Sequence, residues 1–102
     1  MKQGVDISVL RRLCLGGKIK WTLHALERIR ERKILVEAVV NAVLSGVAIE
    51  QYQDDKPLPS CLICSGEKPL HVVVSTDGNI VYFITAYYPS TNEWNDDFIT
   101  RR

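Results

Sequence analysis

The sequence predicts an α+β domain, with N-terminal helices packed on one face of an antiparallel β-sheet of about four strands. Three observations carry this. Apolar residues recur at helical spacing as far as Gly46, and strand-like runs replace them afterwards. Helices come first and the strands follow as a meander, an order that belongs to α+β rather than α/β architecture. At 102 residues the chain can bury one hydrophobic core but not two, so residues 1–102 read as a single domain.

Each element has its own signal. In residues 6–15, Ile7, Val9, Leu10, Leu13 and Cys14 form a helical stripe that Gly16 and Gly17 stop. Residues 18–21 read as a short basic connector. Thr22 is a natural N-cap for a helix to about Lys33, with Leu23, Leu26 and Ile29 toward the core. Residues 36–44 form a third helix, ended by Gly46 in the position that favours a left-handed C-cap. Residues 47–52 alternate as a strand. Residues 54–60 hold Pro57 and Pro59 and read as a loop. Residues 61–64 make a short strand and 67–69 a turn. Residues 70–76 and 80–88 are the strongest strands, joined through Asp77-Gly78-Asn79. Residues 94–99 form a last short strand or a closing segment.

Register follows from the apolar faces. Opposed residues point the same way, so Leu70, Val72 and Val74 pair with the face of Ile80, Ile84 and Ala86. That implies a three-residue connection around Gly78. It places His71 on a common face with Thr85 and Tyr87, and puts Val81 and Phe83 there too.

Composition narrows the function classes. The chain is 46% hydrophobic and 25% charged with 4 Pro and 6 Gly, which excludes collagen-like and largely disordered readings. No apolar run approaches the ~18 residues of a membrane span, so no membrane partner is expected. Arg11 and Arg12 interrupt the only apolar stretch near the N-terminus, where a signal peptide would need its core. Three cysteines cannot complete a disulfide framework, which points to the cytoplasm. The net charge of +1 hides an asymmetry: residues 1–33 hold nine Lys/Arg against three acids, and the remainder four against nine. The first part carries a local anion-facing surface or a pair of well-solvated helices.

Chemistry could gather at two places. His24, Arg28 and Arg32 stand at i, i+4 and i+8 of the second helix, within roughly 80° of one side. The plainer reading is a network with Glu27 and Glu31; the functional one is an anion held over two guanidiniums. His71 lies in an apolar strand, with Thr85 and Tyr87 on its expected face. Two histidines, two arginines, a hydroxyl and a phenol suit metal-independent cleavage of an RNA phosphodiester. One imidazole takes the 2′-OH proton, a second acid protonates the leaving oxygen, and the arginines steady the phosphorane. Tyr87 can stack on a base. This mechanism requires both imidazoles in one solvent-reachable hollow. Cys61 and Cys64 form a C-x-x-C, but positions three apart on a strand point to opposite faces, so no metal and no cofactor is expected.

Several of these stretches, in series, resemble the domain of unknown function family 4258. They are His24-Ala25-Leu26-Glu27-Arg28-Ile29-Arg30-Glu31-Arg32, residues 46–52, Asp55-Lys56-Pro57 with Pro59-Ser60, Pro69-Leu70-His71-Val72, and Ile84-Thr85-Ala86-Tyr87 with Pro89 and Trp94. That family is similar to the RelE/ParE-like small toxins, within a wider group of barnase- and colicin-like ribonuclease folds. The resemblance implies the toxin of a toxin–antitoxin pair, restrained by a small zinc-finger-type antitoxin. It implies a metal-independent endoribonuclease with RNA as substrate, using His24, Arg28, Arg32, His71, Thr85 and Tyr87. The alternative is a non-enzymatic binding module of the same fold, holding a protein partner or nucleic acid.

Overall fold

A computed structural model describes residues 4–66 and 68–102. Its elements are α1 (Ile7–Leu15), β1 (Ile19–Trp21), α2 (Leu23–Glu31), α3 (Val36–Ser45), β2 (Val47–Tyr52), β3 (Ser60–Ser65), β4 (Leu70–Thr76) and β5 (Val81–Tyr87). The strands form one sheet in the order β1-β5-β4-β3-β2. The α+β class of the sequence reading holds, but the sheet has five strands and is mixed. Residues 18–21, expected as a connector, supply the fifth: Ile19, Lys20 and Trp21 run parallel to Val81, Tyr82 and Phe83. Three residues are too few to show a strand period in sequence. What holds them is tertiary: the Trp21 ring stacks on Phe83 at 4.4 Å. Of the turn expected at residues 67–69, Glu67 lies outside the described residues.

The helix ends follow the local chemistry. Asp6 caps α1, its carboxylate accepting from the amides of Ser8 at 2.9 Å and Val9 at 3.4 Å. Thr22 caps α2 by accepting from the Ala25 amide at 2.9 Å. Helix α2 ends at Glu31, short of Lys33, which itself adopts a left-handed φ of 57°. Gly46 is not the left-handed cap the sequence implies, since its φ is −82°. Its requirement is space. A Cβ there would sit 2.5 Å from the Ala42 carbonyl oxygen and 2.7 Å from the Ile63 side chain. The neighbouring Arg11 side chain donates to the carbonyls of Val43 and Gly46, tying α1 to the end of α3.

The helices cover one face of the sheet. Leu10, Cys14, Ile29, Val39 and Val43 close on Cys61, Ile63, Val72, Val74, Phe83 and Ala86. Helix α2 contributes Ala25 and Ile29; Leu23 and Leu26, assigned to the core from their spacing, are 72% and 40% exposed. Three-residue spacing drifts around a helix of 3.6 residues per turn, so only the last of the three reaches the sheet.

The β4–β5 hairpin departs from a uniform register at one residue. His71 pairs with Tyr87, Val72 with Ala86 and Val73 with Thr85, as the faces demand; then Val74 pairs with Phe83 and Thr76 with Val81. Ile84 is the extra residue of a β-bulge. It turns Val81 and Phe83 into the helix-side core, against the sequence expectation, and leaves Thr85 and Tyr87 on the opposite face beside His71. The connection is accordingly Asp77–Ile80, one residue longer than expected. Asp77 organises it, accepting from the amides of Asn79 at 2.8 Å and Ile80 at 2.9 Å.

Replacing Gly46 by Ala forces backbone and Ile63 apart in a packed core. The expected cost is about 1–3 kcal/mol, a fall in Tm on the order of 10 °C. Thermal unfolding of Gly46→Ala beside wild type measures it; an unchanged Tm contradicts the close approach.

Candidate functional site on the helix-free face

Helix α2 lies along β5 and presents its polar flank at the sheet edge. Beyond Trp21, β1 no longer covers that edge, and Arg32 fills the gap. Its guanidinium donates to the Ala86 carbonyl at 2.7 Å and reaches the Thr85 hydroxyl at 3.4 Å. Arg28, one turn earlier, pairs with Glu31 at 3.0 Å, so the ordinary ion-pair reading describes this residue. His24 is exposed in the first turn. Arg32 and Thr85 are therefore brought together, with Arg28 and His24 following along the same flank.

Two residues further along β5, on the same face as Thr85, Tyr87 meets His71. The rings are 5.3 Å apart, and the His71 Nδ1 lies 3.4 Å from the Tyr87 hydroxyl. His71 is fully buried. Its Nε2 lies 2.7 Å from the Phe98 carbonyl oxygen, and the Trp94 ring stands edge-on at 4.6 Å. A carbonyl only accepts, so Nε2 carries the proton and Nδ1 is left as the acceptor for Tyr87. Burial holds the His71 pKa below its ordinary value, against a smaller opposing pull from the Phe98 carbonyl. Burial also raises that of Tyr87.

The structure does not bring the two histidines together. Thr22, at the start of α2, bonds to the Phe83 carbonyl, whereas His71 lies opposite Tyr87. Those levels differ by four strand residues, about 13 Å. One imidazole is exposed and the other is sealed.

Several residues of this face had no assignment from sequence. Arg101 spans to Glu50 with contacts of 2.8 and 3.1 Å, and lies 4.5 Å over the Trp94 ring. Glu50 also accepts from the Tyr52 hydroxyl at 2.5 Å. The Arg101 hydrogen bond lowers the Glu50 pKa; burial and the Glu50 contact push that of Tyr52 up to about 12. Glu50 and Tyr52 alternate on β2, so their shared side could have been read from parity. Arg101 stands in a terminal stretch with no periodic signal. Trp94 is buried with its indole N–H unpartnered among the described residues. Cys61 faces the helix-side core while Cys64 pairs with His71 on the ladder. The described residues contain no group of three or more His, Cys, Asp or Glu placed to hold a metal.

Beside the start of α2, a pocket of about 420 Å³ opens between Thr22, Tyr82, Ile84 and the loop residues Lys56 and Leu58. This is within the size range of small-ligand sites. None of the described helices is long and apolar enough to cross a membrane.

A mixed sheet with its helices on one face and a polar row on the other defines a small α+β domain whose candidate site lies on the helix-free side of β5. The chain belongs to the family described as Domain of unknown function (DUF4258), whose model matches residues 21–88. That match covers the end of β1 through β5 and leaves α1 and residues 89–102 outside. No curated protein and no solved structure matches the chain.

His71 makes stability depend on pH with a definite sign. The unfolded imidazole takes up a proton near 6.5 and the folded one only at lower pH. Stability is therefore full above that value and falls as the pH drops below it, by up to about 1.4 kcal/mol per pH unit. Urea unfolding at pH 7.5, 6 and 5 tests this. His71→Gln, though weaker at pH 7.5, is expected to have the shallower dependence; equal slopes exclude a buried neutral His71.

Proposed function

We propose that this chain is a RelE/ParE-like toxin-type domain of a toxin–antitoxin pair, acting in the cytoplasm. It engages RNA along the α2–β5 edge, and a small zinc-finger-type antitoxin restrains it. The observation that carries the RNA reading is Arg32. A guanidinium from the helix layer is fixed on the helix-free face, beside the Thr85 hydroxyl, with Tyr87 next along the strand. Arg28 and His24 extend the row toward the pocket where Lys56 and Tyr82 wait. Guanidiniums in series bind a phosphate backbone without reading sequence, and an aromatic beside them can stack on a base.

Binding is the activity this geometry supports best. With His71 fully buried and His24 exposed, the closed fold does not present both imidazoles to one phosphodiester. The second reading, a metal-independent endoribonuclease, keeps one specific support: Arg32, Thr85, Tyr87 and His71 form a continuous polar row on one face, and its inner end is covered by residues near the C-terminus.

Binding of a fluorescent single-stranded RNA, in EDTA and over a salt series, distinguishes the two. We expect the RNA to stay intact and affinity to fall steeply with salt. Arg28→Ala with Arg32→Ala should shrink the log–log salt slope by roughly 1.4, two phosphate contacts' worth. Salt-independent binding, or an unchanged slope in the double variant, overturns the RNA reading. Cleavage in EDTA that falls by about 10²–10⁴ in His24→Ala or His71→Ala makes the chain a nuclease instead.

A further inference from the structure

We propose that residues 89–102 form a strap that lifts from the helix-free face as a unit and thereby controls access to a polar site containing His71, Tyr87 and Glu50.

The way the segment is held supports this. Its backbone hydrogen bonds are internal: Trp94 N–H to the Ser90 carbonyl, Asn95 to Thr100, Phe98 to Asn95, and Arg102 to Glu93. Its one ladder contact, Trp94 with Arg101, is internal too. Asp97 closes the loop by accepting from the amides of Ile99 and Thr100 at 2.8 and 2.9 Å. Among the described residues, no backbone-to-backbone hydrogen bond joins the segment to a strand of the sheet. Side chains fasten it to the sheet: His71 against the Phe98 carbonyl, the Trp94 ring edge-on to His71, and Arg101 on Glu50 and Tyr52. A segment with its own hydrogen bonds and few anchors opens as a local unit, without unfolding what lies beneath.

Two features favour release over permanent closure. The Trp94 indole N–H is buried without an acceptor, and opening returns it to water. Phe98 holds a left-handed φ of 57°, which an opened chain relaxes. The site beneath is built independently of the strap. The β4–β5 ladder sets His71 opposite Tyr87, and Glu50 belongs to β2. Lifting the strap therefore uncovers an imidazole, a phenol and a carboxylate already positioned by the sheet.

The test labels imidazoles of the intact chain with diethyl pyrocarbonate and follows each histidine by mass spectrometry. Exposed His24 is the internal standard and reacts at once. For wild type, His71 is expected to react slowly but faster than the core amides of Val72 and Val74 exchange with deuterium, and with a shallow urea dependence, the mark of a small opening. Arg101→Ala removes the Glu50 pair and the contact over Trp94. It should speed His71 labelling about fivefold or more, lower global stability by no more than that same factor, and leave the labelling of His24 unchanged. Labelling of His71 that tracks global exchange with the same steep urea dependence in both proteins, or an unchanged His71 rate in Arg101→Ala, shows the segment to be an integral part of the core and overturns the proposal. The reagent is not RNA, so either outcome stands apart from the RNA reading.

Discussion

The β-bulge at Ile84 decides what each face of the sheet carries. Without it, β5 would keep one parity along its length, and Phe83 could not enter the helix-side core while Ala86 stays there. Both residues are fully buried on that side. With one residue out of step, the near half of β5 gives Val81 and Phe83 to the core, and the far half gives Ala86 to the core and Thr85 and Tyr87 to the other face. The bulge also re-aims the strand where β1 ends, which opens the edge that Arg32 then fills. Core, polar row and free edge all follow from that single insertion.

Burial of His71 sets a second constraint. Moving an imidazole out of water disfavours its charged form, and the Phe98 carbonyl offsets this only in part, so folding favours the neutral ring. A neutral ring with a fixed tautomer is a good positioning group and a poor proton shuttle while no solvent reaches it. The energetics of its cover are not one-sided. Trp94 buries a large ring, worth roughly 4–6 kcal/mol of transfer free energy. Its unpartnered N–H costs about 1–3 kcal/mol. The Arg101–Glu50 pair is solvent-exposed and adds about 0–1 kcal/mol. The cover thus depends on one ring, unlike the helix side, where a continuous apolar cluster dominates.

The fold was legible wherever one interaction range sufficed. Capping by Thr22, the helix order and the paired faces of His71, Thr85 and Tyr87 depend on neighbours in sequence or on a single hairpin. What failed depended on distant partners. Strand β1 exists because Val81–Phe83 offers it an edge; the bulge exists because the core needs Phe83. Leu23 and Leu26 looked apolar enough for the core, but the sheet takes only the Ala25–Ile29 side of α2. For the candidate site, the residue types were readable and their grouping was not. Sequence placed His71 with Tyr87 correctly, but had no means of showing that residues far along the chain would fold back over it. Trp94 and Arg101 carry no period, and their partners lie on β4 and β2.

The α2 flank shows how magnitudes separate structural arginines from available ones. Arg28 and Arg32 at i and i+4 repel by only a few tenths of a kcal/mol, and the exposed Arg28–Glu31 pair contributes about as much in return. Neither interaction is strong enough to withhold Arg28 from a phosphate, whose charge-assisted hydrogen bonds are roughly twice as strong as neutral ones. Arg32 differs. One of its terminal nitrogens satisfies the Ala86 carbonyl at an uncovered sheet edge, which fixes the side chain's direction. A guanidinium has five N–H donors in a rigid fork, so the remaining ones are aimed rather than consumed. The rotamer freedom that a ligand would otherwise have to freeze is already lost on folding. An arginine tethered by one nitrogen is therefore a better anion anchor than a free one, and the edge left by the short β1 strand is what provides the tether.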